Sequence, residues 1–298
     1  MFAVNDAFRK FKSRLEISDK EESDASRRHN EVREVIRAKF AVDDDFLTGS
    51  YRRHTKTKPL QDVDIFCVLN SEKEGHYLQK PSSCLIEDFR KVLVDHYGAD
   101  NIESDARCVI IRFGKPTGVE VEDEKVFSID VAPAFADEND CKIPNSGAQT
   151  DWLKTNPKVH ADKSTEANKL FNGEWKPMVK MIKRWNSFHS CPVPTSFLLE
   201  VMALDILYPP FSGGYGRELK AFFATAATRV HEIWPDPAGV GPNVCDGISQ
   251  AQRQEAAIKM KETGKAIDQA ILLEGRTSYD AANRIWREQV FGPMFPLS

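Results

Sequence analysis

An α+β fold, a mixed sheet flanked by helices and followed by a helical lobe, is predicted by a change of period along the chain. From Phe46 to Phe135 apolar residues tend to recur at every second position, the spacing of half-buried strands. Beyond Pro144 they recur every three or four positions, the spacing of helices with one buried face. With 298 residues the chain has room for two lobes, 1–150 and 151–298, each with its own apolar core.

The first forty residues predict two helices broken near Ile17 to Asp19, the second carrying Val32, Val35, Ile36 and Phe40 on one face. Val63, Ile65, Cys67 and Leu69 then alternate with Asp62, Asp64, Phe66 and Val68, and β-rich runs follow at 108–113, 118–122 and 126–132. Between them, 82–96 sets Leu85, Phe89, Val92 and Leu93 at helical spacing and stops at Gly98, a residue suited to ending a helix. In the second lobe helical patterns cover 174–189, 195–208, 216–233, 247–274 and 278–290. Proline and glycine clusters at 191–194, 209–210 and 235–242 separate several of them. Residues 292–298 read as a short tail, and no internal repeat is found.

Composition narrows the function. Lys and Arg number 41 against 45 Asp and Glu, a net charge of −4 that gives no reason to expect tight binding of duplex nucleic acid. No apolar run approaches the roughly 18 residues of a membrane span, and the charged start Met1-Phe2-Ala3-Val4-Asn5-Asp6 lacks a signal-peptide core, so the chain reads as cytoplasmic. The six cysteines show no C-x-x-C pair and read mostly as buried free thiols. Thr263-Gly264-Lys265 lacks the upstream glycine and strand of a P-loop, and no G-x-S-x-G elbow occurs.

The chemistry concentrates between Leu47 and Phe66. On a strand, Asp62 and Asp64 point to one face, and two carboxylates aimed at one spot call for a cation. Their hard oxygens suit magnesium, which also accepts phosphate oxygens and water. Asp130 lies in the apolar run Val126 to Ala132; if that strand neighbours Asp62, the three carboxylates would hold two Mg²⁺ about 4 Å apart, with Mn²⁺ as a possible substitute. Gly49-Ser50 follows an apolar run and precedes a basic spacer, Arg52 to Pro59, as expected of a loop whose backbone comes close to phosphates. Positioning and charge neutralisation are most of what phosphoryl transfer needs.

Gly-Ser, eleven intervening residues, Asp-Val-Asp and a later strand aspartate together resemble the signature of the polymerase-beta-like nucleotidyltransferases. Within that superfamily the chain is similar to the bacterial cGAS/DncV-like nucleotidyltransferases of CBASS anti-phage defence, and most to their clade D. Phe46 to Tyr51, Ile143 to Ser146, Asp151 to His160, Lys180 to Ser190, Ser196 to Glu200 and Asp236 to Gly239 carry the resemblance in order. It implies a nucleotidyltransferase lobe and an OAS/cGAS-like helical lobe with the active site in the cleft between them. It further implies that Gly49, Ser50, Lys183 and Ser196 contact the donor triphosphate, that Phe197 stacks on a base, and that Asp62, Asp64 and Asp130 bind metal. Read without it, Lys183 is a solvated helix face and Phe197 is core.

The implied activity is synthesis of a cyclic di- or trinucleotide from nucleoside triphosphates, ATP among them, by a monomer that pairs with HORMA and TRIP-like or ubiquitin-like conjugation proteins. A transferase acting on RNA or protein would be favoured by a basic tail, which the charge does not offer, and a non-catalytic interaction module would lack a carboxylate. Nucleic-acid binding is not required on charge grounds, and the short Ile-Pro-Asn and Asp-Trp runs at 143–145 and 151–152 are candidates for shaping an acceptor pocket.

Overall fold

The structure, a computed structural model, describes residues 3–113, 128–148 and 151–297; the strand expected over 118–122 and the first two residues of that over 126–132 lie outside them. The chain forms two compact units, Ile17–Ala161 and Met1–Glu16 with Asp162–Ser298. Helix α1 (Val4–Leu15) therefore belongs to the second unit, although its place in the chain had grouped it with the sheet. Its buried Val4, Phe8, Phe11 and Leu15 explain this: they join a core made otherwise of late residues, among them Trp286 and Phe291.

The first unit opens with α2 (Asp19–Arg37), started by a capping box in which Ser18 and Glu21 satisfy each other's backbone N–H groups. Strand β1 (Val42–Thr48), the single turn α3 (Gly49–Arg52), β2 (Asp62–Leu69), the turn α4 (Ser71–Glu74) and α5 (Ser82–Tyr97) follow. Strands β3 (Ile102–Ser104), β4 (Val109–Arg112), β5 (Ser128–Asp137), β6 (Asp140–Pro144) and β7 (Trp152–Thr155) complete one sheet of order β1-β2-β5-β4-β3, with β6 and β7 continuing from β5. Among the described residues only β2 and β5 run parallel, so the sheet is mixed as expected.

Alternation sorts the two faces. Val63, Ile65, Cys67 and Leu69 of β2 and Ile129, Val131 and Phe135 of β5 are buried with Val32 and Ile36 of α2 and Leu85, Phe89 and Leu93 of α5. The other face carries Asp62, Asp64 and Asp130 first, then a small cluster of Phe66, Val68, Ala132, Ala134, Cys108 and Ile143. Helix α5 ends where predicted, with Gly98 at φ 83°. Its start is fastened by Asp151, whose carboxylate accepts from the Ser82 N–H at 2.7 Å and the Ser82 hydroxyl at 2.8 Å. The Trp152 ring packs edge-on against Phe135, so the Asp-Trp pair is occupied in holding the sheet unit together.

In the second unit, α6 (Pro157–Leu170), within which the boundary falls, precedes α7 (Trp175–Phe188), α8 (Ser196–Ile206), α9 (Tyr215–Arg229), α10 (Gln250–Gly275), α11 (Tyr279–Ile285) and a π-helical stretch, Trp286–Phe291. Trp175 and Trp185 of α7 are fully buried, and each indole N–H finds an acceptor, the Ala203 carbonyl at 3.2 Å and the Thr263 hydroxyl at 2.7 Å. The expected tail is not one: Phe295 is fully buried, with its ring 5.2 Å from both Phe8 and Phe11. Burying the aromatic ring offsets part of the cost of ordering these terminal residues. All six cysteines are free thiols, but only Cys67, Cys108 and Cys245 are buried. Among the described residues no helix is long and apolar enough to cross a membrane.

Candidate active site

The pairing of β2 with β5 meets the condition on which a shared carboxylate site depends. In this parallel ladder Asp64 stands opposite Asp130 and Asp62 opposite Ser128, so all three carboxylates rise from one face of adjacent strands. On the other side of β2, Thr48 at the end of β1 is the register partner of Asp64. The chain leaves β1 through Gly49 directly over that aspartate: a Cβ on Gly49 would lie 1.7 Å from Asp64 Oδ2, and its φ is +62°. No other residue fits there without displacing the carboxylate.

The turn that follows is closed by its own backbone. The N–H groups of Thr55 and Lys56 donate to the Ser50 carbonyl at 3.0 and 3.2 Å, and that of Arg53 to the Gly49 carbonyl at 3.2 Å. The spacer is then tied to the helical layer by Glu21, a fully buried residue. Its Oε2 accepts from the Ser18 backbone and hydroxyl, and its Oε1 accepts from the Leu60 N–H at 2.8 Å, two residues before Asp62. A buried carboxylate this fully satisfied acts as a fixed anchor for the entry into β2.

Like charges stand close together at this face. Burial, then the neighbouring Asp64 and Asp62, push the Asp130 carboxyl up to about 7. Its Oδ1 is buried and has no hydrogen-bond partner among the described residues. The Lys56 ammonium lies 2.5 Å from Asp62 Oδ1, so a monovalent cation already sits at the rim. Among the described residues no group of three or more His, Cys, Asp or Glu side chains is gathered to hold a metal ion as they stand, and Asp62 is engaged by Lys56. An orphaned buried carboxylate oxygen, like charges side by side and hard oxygen donors nevertheless fit a divalent cation of the magnesium type.

Lys183, Ser196 and Phe197 belong to the helical unit. Lys183 on α7 is not the solvated residue its neighbours suggest: it is buried and ion-paired with the buried Glu200 of α8, Nζ to Oε1 2.5 Å. Ser196, the first residue of α8, is exposed, and Phe197 is half-buried against the edge of the core. The loop between the two helices is pinned by Asn186, whose side-chain amide bonds both the N–H and the carbonyl of Val193 at 2.9 Å. That brace sets where α8, and therefore Ser196, begins.

Residues 2–168 match the family model of the Second Messenger Oligonucleotide or Dinucleotide Synthetase domain. The chain belongs to this family. It is a nucleotidyltransferase of the bacterial cGAS/DncV-like group, a synthetase of nucleotide second messengers. The synthetase is 27% identical over 274 residues to a probable cyclic nucleotide synthase of Bacillus cereus, covering 83% of this chain and 81% of that protein. It is 26% identical over 311 residues to a cyclic AMP-AMP-AMP synthase of Acinetobacter, covering 96% and 83%. Its fold matches that of Escherichia coli CdnC bound to ATP with a TM-score of 0.72 at 17% identity, covering 98% of each chain, and that of CdnC in a HORMA complex with 0.71. Nucleotidyl transfer in such a family implies use of a divalent metal.

The synthetase brings Gly49, Ser50, Asp62, Asp64 and Asp130 together in the sheet unit, and Lys183 and Ser196 onto adjoining helices of the other. Lys56 was seen only as one charge of the basic spacer, and three contributors were missed in the sequence: Glu21, Asn186 and Glu200. Glu200 alone left a signal, an acid set among Leu198, Leu199, Val201, Met202 and Ala203 and one helical turn after Ser196. The other two are polar residues whose partners are revealed only by folding.

Proposed function

We propose that the synthetase joins ribonucleoside triphosphates, ATP among them, into a cyclic di- or trinucleotide that serves anti-phage signalling in the cytoplasm, in the manner of clade D enzymes. The observation that carries this reading is the register of β2 and β5, with Asp64 opposite Asp130, Asp62 on the same face and Gly49 pressed against Asp64. The likeness to the Acinetobacter cyclic AMP-AMP-AMP synthase supports adenine and a ring of this size. Nucleotidyltransferase chemistry falls to 1–150 and nucleotide binding to 151–298.

In this reading Gly49 and Ser50 present backbone and hydroxyl donors to the donor triphosphate, Lys183 and Ser196 bind the same phosphates, and Phe197 stacks on a base. Asp62, Asp64 and Asp130 hold two Mg²⁺, replaceable by Mn²⁺, which when bound offset charge on the phosphates and lower the pKa of the attacking hydroxyl. The ribose oxygen of a second nucleotide forms a bond to the α-phosphorus as the bond to pyrophosphate breaks, and the Asp130 carboxylate takes the hydroxyl proton. A linear product that rebinds with its own triphosphate in the donor position closes the ring by the same step.

The test is incubation of the purified protein with four labelled ribonucleoside triphosphates and Mg²⁺, followed by phosphatase and mass spectrometry. A phosphatase-resistant product, absent from an Asp62→Ala/Asp64→Ala variant, is expected; synthesis retained by that variant would sink the metal assignment. HORMA and TRIP-like or ubiquitin-like conjugation proteins are the activators to add if the protein alone is silent, as CdnC is known in a HORMA complex. Extension of added RNA in place of a cyclic product would mark the transferase alternative.

A further inference from the structure

Glu200 is 1% exposed and lies within a run of fully or nearly fully buried apolar residues, Leu198 to Ala203, on α8. A carboxylate at such a position costs several kcal/mol in desolvation, and its attraction to a buried ammonium only roughly repays that cost. Well-packed apolar residues of similar volume would stabilise the helix pair at least as well. What they would not do is hold a charged amine at a fixed point. Glu200 does so: its Oε1 is 2.5 Å from Nζ of Lys183, whose side chain is 8% exposed. It also stands four residues after Ser196, on the same face of α8, so the carboxylate, the amine it holds and the exposed hydroxyl at the start of the helix form one row.

We propose that Glu200 is a positioning residue for triphosphate recognition: it keeps the Lys183 ammonium charged and fixed beside Ser196, so that the two together select a polyphosphate over a bare nucleoside. The inference rests on the reading of Lys183 and Ser196 as phosphate contacts. Without the carboxylate, a cation at that depth either loses its proton or withdraws toward water, and the phosphate contact goes with it.

Equilibrium dissociation constants for a non-hydrolysable ATP analogue and for adenosine, measured on the full chain, separate this role from mere packing. Glu200→Gln keeps the shape and removes the charge; it is expected to weaken the ATP analogue about tenfold, the loss of one charge-assisted contact, and to leave adenosine unchanged. Lys183→Met should do the same, and the double variant should be no weaker than Lys183→Met alone. Equal weakening of both ligands, or of neither, by Glu200→Gln would assign Glu200 to packing and overturn the inference. Unchanged ATP-analogue binding by Lys183→Met would instead overturn the phosphate reading beneath it. If Glu200→Gln does not fold, Glu200→Asp carries the test, since it keeps the charge but moves it by one methylene: selective weakening of the ATP analogue supports the proposal, and unchanged selectivity overturns it.

Discussion

The strand pair β2–β5 and the helix pair α7–α8 handle charge in opposite ways. On the strands three carboxylates share one face, one oxygen of Asp130 has no hydrogen-bond partner among the described residues, and the Lys56 ammonium answers Asp62 at the rim. On the helices one ammonium and one carboxylate are buried against each other. The first arrangement gains from an added cation; the second loses if either half is removed. Like charges grouped on a rigid scaffold mark where an external charge is to be bound, and a buried pair marks where a group is to be held still.

The contrast is broken most directly by neutralising one acid in each place without changing its shape. Asp64→Asn should cut product formation by about a thousandfold or more, the cost of losing a metal ligand worth several kcal/mol in the transition state. Removing a like charge beside Asp130 should at the same time leave the metal-free melting temperature unchanged or higher. Glu200→Gln should do the reverse to stability, costing about 3 kcal/mol or more as an uncompensated buried cation is left behind. Melting curves recorded with the product assay check both, and a fall in stability for Asp64→Asn would remove the distinction. Next in size is Gly49→Ala, whose methyl would overlap the Asp64 carboxylate in a left-handed backbone. A displaced carboxylate should cost about a hundredfold in rate, and the strained backbone about 1–3 kcal/mol in stability.

Titration sharpens the same comparison. Asp130 is raised from an ordinary 3.8 to about 7, so its protonated form is favoured by the fold. The stabilisation this gives is fully present below about pH 4 and is lost as pH rises through about 7. A divalent cation competes with that proton, so the melting-temperature gain from added Mg²⁺ should grow between pH 5 and pH 8. Asp130→Asn should flatten the gain. A gain equal at both pH values would separate the carboxylate cluster from the metal.

Much of the sheet site was legible because period-two alternation fixes which residues share a face, and carboxylates sharing a face announce themselves. The neighbouring of β2 and β5 was not legible, since strand order depends on contacts between distant segments. Strands β6 and β7 escaped for a different reason: Asp140 to Pro144 and Trp152 to Thr155 are short and mix charged with apolar residues at no clear period. Helix α6 hid similarly, being polar on most of its surface, with Ser164 among its few buried residues. The depth of Lys183 was misread because its own helix cannot show that Glu200 waits on the next one.

Asp151 offers the smallest effect and a control for the larger ones. It is a carboxylate whose charge is answered locally, by the Ser82 N–H and hydroxyl and by the start of a 16-residue helix. Neither the grouped acids of β2–β5 nor the buried pair of α7–α8 includes it, so its loss should touch stability alone. Asp151→Ala should cost about 1 kcal/mol, the usual worth of a helix cap, and leave the ATP-analogue affinity and the product yield as they are. Reduced yield at unchanged melting temperature would instead return the Asp-Trp segment to the acceptor pocket, and would show that a carboxylate satisfied by the fold can still serve the reaction.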